Sequence, residues 1–188
     1  MISTCVSNRV EQLAGVNCFD LDSFDDRRGV FTRLYSQSSF DDLLQGHPIQ
    51  QINHSFNPRM GTVRGMHMQL KPLQEYKVVI CLEGEIFDVV VDLRKHSQTL
   101  CHWYGRILNP DRQQALIIPP GCAHGFQVLK PRTTLLYLHT AAYASDSEFG
   151  MSYFDRKIDI RWPLPISIIS QKDLQYPPLD DSFLGFDL

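Results

Sequence analysis

The chain has 188 residues, 43% of them hydrophobic, with 18 Lys and Arg against 21 Asp and Glu. That size and apolar share suit one globular domain with a single core, read here over residues 1–188. A net charge of −3 argues against nucleic acid or a membrane surface as partner, and no apolar run approaches the ~18–20 residues that span a bilayer.

Residues 1–15 lack a basic stretch followed by an apolar one, so no signal peptide is expected. Cys5, Cys18, Cys81, Cys101 and Cys122 are odd in number and form no CxxC pair, which argues against a disulfide framework or a zinc ribbon. Reduced thiols in a cytoplasmic protein are the expectation. Helical periodicity is scarce. Residues 37–44 are one short candidate, with Ser38 or Ser39 as cap and Phe40, Leu43 and Leu44 as its apolar face. Strands are predicted at residues 77–81, then at 85–93 after the turn signal Glu83-Gly84, and at 103–108, 115–118, 125–129 and 133–140. Strands at this spacing, with turns between them, read as an all-β sandwich or barrel. Residues 164–188 are rich in Pro and Asp and are expected to wrap the body as a tail.

Two segments hold candidate chemistry. One runs Gly61-Thr62-Val63-Arg64-Gly65-Met66-His67-Met68-Gln69, the other Ile118-Pro119-Pro120-Gly121-Cys122-Ala123-His124-Gly125-Phe126. Each sets a histidine near a strand edge, beside a glycine that lets backbone approach a ligand. A lone histidine so placed is more often a hydrogen-bonded structural residue. In outline the pair is similar to the two cupin motifs, whose histidines and glutamate hold a metal. Here Gln69 stands at the second histidine position, so one histidine remains per motif, and His47, His54, His96, His102 and His139 fall outside the motif spacing. Two imidazoles without a third strong donor suit Zn or Fe poorly.

Lys77, Tyr137, Tyr143 and Asp173 each have an ordinary reading: a strand-end lysine facing water, core or interface tyrosines, a capping or solvated carboxylate. They also match what proton abstraction beside a ketone requires. An imidazole is a base of suitable strength, and a carboxylate on its far nitrogen stabilises the imidazolium. A cation near the carbonyl oxygen stabilises the enolate, and a phenol can return the proton on the opposite face. The residues alone do not bring this set together.

The order of motifs resembles the dTDP-4-dehydrorhamnose 3,5-epimerase family over residues 22–179. The matching segments include Asp26-Arg27-Arg28-Gly29-Val30-Phe31, Gln51-Ile52-Asn53, Val63-Arg64-Gly65-Met66-His67, Lys77-Val78-Val79, Gly84 to Arg94, Ile118 to Phe126, Leu136-Tyr137, Tyr143, Ile160-Arg161-Trp162-Pro163 and Ser170-Gln171-Lys172-Asp173. The resemblance implies a cupin-like jelly-roll β-sandwich with a few short helices, acting as a homodimer whose N-terminal strands pair across the interface. It implies no cofactor and no metal. His67 would be the base, Asp173 its carboxylate, Lys77 the enolate stabiliser and Tyr137 the acid on the opposite face. His124 and Tyr143 would line the pocket, and Arg28, Gln51, Asn53 and Arg64 would contact the nucleotide or its pyrophosphate. Phe31 and Arg33 lie in the same nucleotide-binding stretch, where Arg33 replaces the family's usual glutamate. That reversal of charge leaves room for another nucleotide, such as CDP.

The substrate expected is a nucleotide-linked 4-keto-6-deoxyhexose, inverted at C3, at C5 or at both. Two other classes compete: a metal-dependent cupin oxygenase or isomerase, which metal analysis would detect, and a non-catalytic sugar-nucleotide binder, which would fail to exchange substrate protons with solvent.

Overall fold

The computed structural model describes residues 9–188. Cys5 and the first part of the stretch read for a signal peptide lie outside them. In chain order the strands are β1 (Asn17–Asp20), β2 (Ser23–Asp26), β3 (Gly29–Thr32), β4 (Gln51–Asn57), β5 (Val63–Gln69), β6 (Lys77–Glu83), β7 (Ile86–Asp92), β8 (Trp103–Leu108), β9 (Gln114–Ile118), β10 (Cys122–Val128), β11 (Thr133–His139) and β12 (Glu148–Gly150). Two short helices accompany them, α1 (Gln37–Phe40) and α2 (Gln171–Gln175). Strands β1-β9-β6-β11-β4 form one five-stranded sheet and β12-β5-β10-β7-β8 the other, while β2 and β3 make a separate hairpin. The pairings between these strands are antiparallel, and the architecture is a cupin-like jelly-roll β-sandwich. Among the described residues no helix is long and apolar enough to cross a membrane.

The apolar side chains sort into three layers. Val79, Leu116, Ile118 and Leu135 of the first sheet meet Ile86, Val90, Phe126 and Val128 of the second between the sheets. Phe40 and Leu44 cover the outer face of the first sheet, over Val78, Ile80, Ile117 and Leu138. Phe87, Val89, Val91 and Trp103 on the outer face of the second sheet lie under Trp162, Leu179, Phe183 and Phe186 of the C-terminal segment. This segment is tied to the body by bridges from Ile168 to Thr62 and from Phe186 to Arg94. Strand β7 is therefore buried on both faces along its whole length. That is why it reads as an unbroken apolar run rather than an alternation.

Three expectations need correction. The helix stops at Phe40, and the chain continues in turns to Gly46. Its cap is Ser36, whose side chain accepts from the Ser39 N–H, rather than Ser38 or Ser39. Strand β10 begins at Cys122 and not at Gly125, because Cys122, Ala123 and His124 pair with Asp92, Val91 and Val90. Strands β1 to β5 and β12 were not foreseen. In β4 the reason is physical: its inner positions are polar, while Ile52 and Phe56 point outward and stay exposed. That inverts the usual pattern of a half-buried strand.

At the end of β7, Asp92 is fully buried. It accepts from Arg94 Nε and Nη2 at 2.9 and 2.8 Å and from the Thr99 hydroxyl at 2.7 Å, and the Ser97 hydroxyl also donates to it. Burial alone would raise its pKa, but these donors outweigh burial and the net shift is downward. A lowered folded pKa contributes stability that is complete above the unfolded value near 4 and disappears as pH falls through the folded value. Asp92→Asn is thus expected to cost about 3 kcal/mol at neutral pH. The gap from wild type should narrow as pH falls below about 4, as urea unfolding at a series of pH values would record.

Candidate active site

Successive residues of a strand face opposite ways, and the register decides which side chains meet. On β11, Tyr137 pairs with Asn53 of β4 and Val79 of β6, and His139 pairs with Gln51 and Lys77. On the facing sheet His124 of β10 pairs with His67 of β5. That approach depends on Gly65, whose φ is +118° and where a Cβ would stand 2.6 Å from the Gly125 Cα. The inner faces of the strands thus carry apolar residues in the middle of the sandwich and polar ones at one end. There, His67, Lys77, His124 and Tyr137 line a cavity of about 340 Å³ together with Asn53, Arg64 and Asp173. A second hollow of about 290 Å³ shares Asn53, His67, Lys77 and His139 with the first and adds Gln51, Glu75, Tyr143 and Glu148.

His67 Nε2–H donates to Asp173 Oδ1 at 2.6 Å. Asp173 is not a solvated tail carboxylate. It sits on α2, is 3% exposed, and accepts also from the Gly65 N–H. The helix is capped by Ser170, whose hydroxyl accepts from the Asp173 N–H at 3.0 Å. Burial would raise the Asp173 pKa, but the bonds from His67, Ser170 and Gly65 prevail and lower it, so the carboxylate is held ionised against the imidazole. Beside this dyad lies a second one, in which His124 Nε2–H donates to buried Asp88 at 2.5 Å. Burial lowers the His124 pKa more than Asp88 raises it, which favours a neutral ring. Tyr137 stands on the opposite sheet, and burial pushes its phenol well above the usual range despite a hydrogen bond with Ser55. The phenol is therefore protonated at neutral pH. The Lys77 side chain is 14% exposed and its ammonium lies 3.7 Å from Glu75, so it does not extend into open water.

Gln69, at the position where a metal-binding cupin has its second histidine, is only 5% exposed. Its amide donates to the carbonyls of Leu73 and Ala142 and accepts from the Ala144 N–H. Among the described residues no group of three or more His, Cys, Asp or Glu side chains is placed to hold a metal ion.

Of the substrate-binding candidates, Asn53, Arg64 and His124 line the first cavity and Gln51 and Tyr143 the second. Tyr143 is anchored through its hydroxyl to Glu148 at 2.6 Å and through its N–H to Gln51 at 3.0 Å. Arg28, Phe31 and Arg33 line neither. They stand on the exposed β2–β3 hairpin, Arg28 paired with Asp26, Arg33 with Asp22, and Phe31 69% exposed. Among the described residues the two β-strands of that hairpin pair with each other and with neither five-stranded sheet.

Sequence reasoning missed Glu75, Asp88, His139 and Lys172. His139 lay outside the motif spacing, yet it is two residues beyond Tyr137 on one strand, hence on the same face. Glu75 lies two residues before Lys77, ahead of β6, and Lys172 adjoins Asp173.

An imidazole–carboxylate pair on one wall, a phenol on the facing wall and an ammonium at their shared rim define an acid–base isomerase built into the mouth of a jelly roll. The chain belongs to the dTDP-4-dehydrorhamnose 3,5-epimerase family, whose model matches residues 11–181. It is 36% identical to the dTDP-4-dehydrorhamnose 3,5-epimerase of Shigella flexneri over 87% of this chain and 90% of that one. Among solved structures, it resembles dTDP-6-deoxy-D-glucose-3,5-epimerase of Legionella pneumophila in complex with dTDP-4-keto-L-rhamnose, with TM-score 0.86 and 32% identity over 94% of this chain and 95% of that one. It also resembles a 3'-monoepimerase of Streptomyces bikiniensis in complex with dTDP-quinovose, with TM-score 0.81 and 28% identity over 88% and 84% of the two chains.

Proposed function

We propose that the protein epimerises a nucleotide-linked 4-keto-6-deoxyhexose, dTDP-4-dehydro-6-deoxyglucose, at C3 and C5 without a cofactor. The observation that carries this reading is the His67–Asp173 pair, with its 2.6 Å bond, lining one cavity with Lys77 and Tyr137. A proton on a carbon next to a ketone is acidic only to the extent that the enolate is stabilised. His67 removes that proton, and Asp173 stabilises the imidazolium that results. Lys77 offsets the negative charge developing on the C4 oxygen. Tyr137, on the facing sheet, delivers a proton to the opposite face, which inverts the centre. Neutral His124 lines the sugar end, and Arg64 with Lys172 supplies positive charge for the diphosphate.

The site residues Gln51, Asn53 and Tyr143 extend the binding surface toward the nucleotide. Arg28, Phe31 and Arg33 reach a site only in a homodimer, the assembly proposed here, and the exposed Phe24, Val30 and Phe31 support such a contact. A cytoplasmic location belongs to the same reading, supported by the free thiols of Cys18, Cys81, Cys101 and Cys122. Inversion of one centre alone is the second reading, favoured by the likeness to a monoepimerase. The test is proton NMR in D₂O with dTDP- and CDP-4-keto-6-deoxyglucose in parallel. Deuterium at both C3 and C5 of the dTDP sugar is expected. Deuterium at one carbon would support the monoepimerase, and faster exchange with the CDP sugar would overturn the nucleotide assignment. No exchange in either would remove the enzymatic reading.

A further inference from the structure

Lys77 is held by more than its own strand. Its Nζ lies 3.7 Å from Oε1 of Glu75. The other carboxylate oxygen, Oε2, accepts from His139 Nδ1–H at 2.9 Å. The remaining ring nitrogen of His139, Nε2, accepts from the Asn53 side-chain amide at 3.3 Å. The imidazole thus has both nitrogens in use, and Glu75 has one oxygen on the ring and one facing the ammonium. The three charged or ring side chains are well covered, with exposures of 14% for Lys77, 8% for Glu75 and 13% for His139. The chain of contacts crosses three neighbouring strands, from β4 through β11 to β6, because Asn53 and His139 lie two positions apart in the β4–β11 register, on one face, and His139 is directly opposite Lys77. The proposed mechanism gives Glu75 and His139 no task.

We infer that Glu75, clamped by His139, is a positioning residue that fixes where the Lys77 ammonium stands at the junction of the two cavities. A lysine has four rotatable side-chain bonds and a strongly hydrated head, so an ammonium without a fixed partner samples many positions. Stabilising an enolate oxygen requires the donor to be in place before charge develops, and a displacement of about 1 Å can cost roughly a hundredfold in rate. A carboxylate 3.7 Å away restricts the ammonium without making the close contact that would use up its donors. His139 in turn stops the carboxylate from swinging to water. The role in turnover rests on the epimerase reading, whereas the ordering of Lys77 does not.

The test uses the full chain carrying Glu75→Gln, His139→Asn and His139→Val, each checked by thermal unfolding. The first readout needs no sugar substrate. It is the ¹⁵N resonance of the Lys77 ammonium, assigned by its loss in Lys77→Arg. A sharp, slowly exchanging signal is expected in wild type and in His139→Asn, whose amide can still donate to Glu75. It should broaden or vanish in Glu75→Gln and His139→Val. The second readout is deuterium exchange into the 4-keto sugar nucleotide. Glu75→Gln should lower kcat by roughly 10- to 100-fold with dTDP affinity unchanged by calorimetry, and His139→Asn should recover most of what His139→Val loses. An unchanged Lys77 signal and unchanged kcat in Glu75→Gln would overturn the inference, as would parallel losses in kcat and dTDP affinity. Failure of wild-type protein to exchange deuterium at all would overturn the epimerase reading, and the Lys77 signal would still decide the positioning role.

Discussion

His67→Ala is expected to abolish deuterium exchange at the carbons flanking the ketone while dTDP binding persists. The loss should be at least about 1,000-fold, within the range that a positioned general base contributes. The imidazole is 31% exposed and lines the cavity, with Nε2 committed to Asp173, so removing it deletes the proposed base without emptying the core. Asp173→Asn should act on the same step through a different cause. The buried amide cannot offset the charge of an imidazolium, and its NH₂ can present a donor where His67 needs an acceptor. Exchange by NMR and dTDP affinity by calorimetry, taken on both variants, separate chemistry from binding. Normal exchange in His67→Ala would remove the base assignment.

Tyr137→Phe should split two steps that the wild type runs together. In the proposed mechanism, loss of the first proton to His67 needs no phenol, whereas return of a proton on the other face does. Product formation is therefore expected to fall by roughly 100-fold or more, and exchange with retention of configuration should fall much less. The phenol is half-buried in the cavity wall, and burial raises its pKa above the usual range, so it carries its proton at neutral pH. Equal slowing of both steps would show that Tyr137 is not the second-face acid. The substitution removes one hydroxyl and its bond with Ser55, a cost to stability of about 1 kcal/mol, too small to confuse the readout.

The candidate site was legible in residue types and in motif order. His67 and His124 announced themselves through their glycine neighbours, and the resemblance to the epimerase family singled out Lys77, Tyr137 and Asp173. The strands that were foreseen, residues 77–81, 85–93, 103–108, 115–118 and 133–140, are those whose apolar character comes from burial, and the structure places a strand at each. Strands β4 and β5 escaped because the cavity demands polar residues on the inner face, which breaks the pattern that marks a strand. His139 and Glu75 escaped for a related reason. Each is an unremarked polar residue until register sets it beside Lys77.

By itself the sequence determined the all-β class, the turns that punctuate it and the kinds of group available for acid–base work, because these follow from local pattern and side-chain chemistry. Tertiary structure alone decided which groups meet. Asp173 lies 106 residues from His67 and reaches it only because the C-terminal segment packs back over the second sheet. Strand pairing alone aligns His124 with His67 and His139 with Lys77. Such contacts are non-local, and their geometry depends on register and on the burial of faces far from the reacting groups.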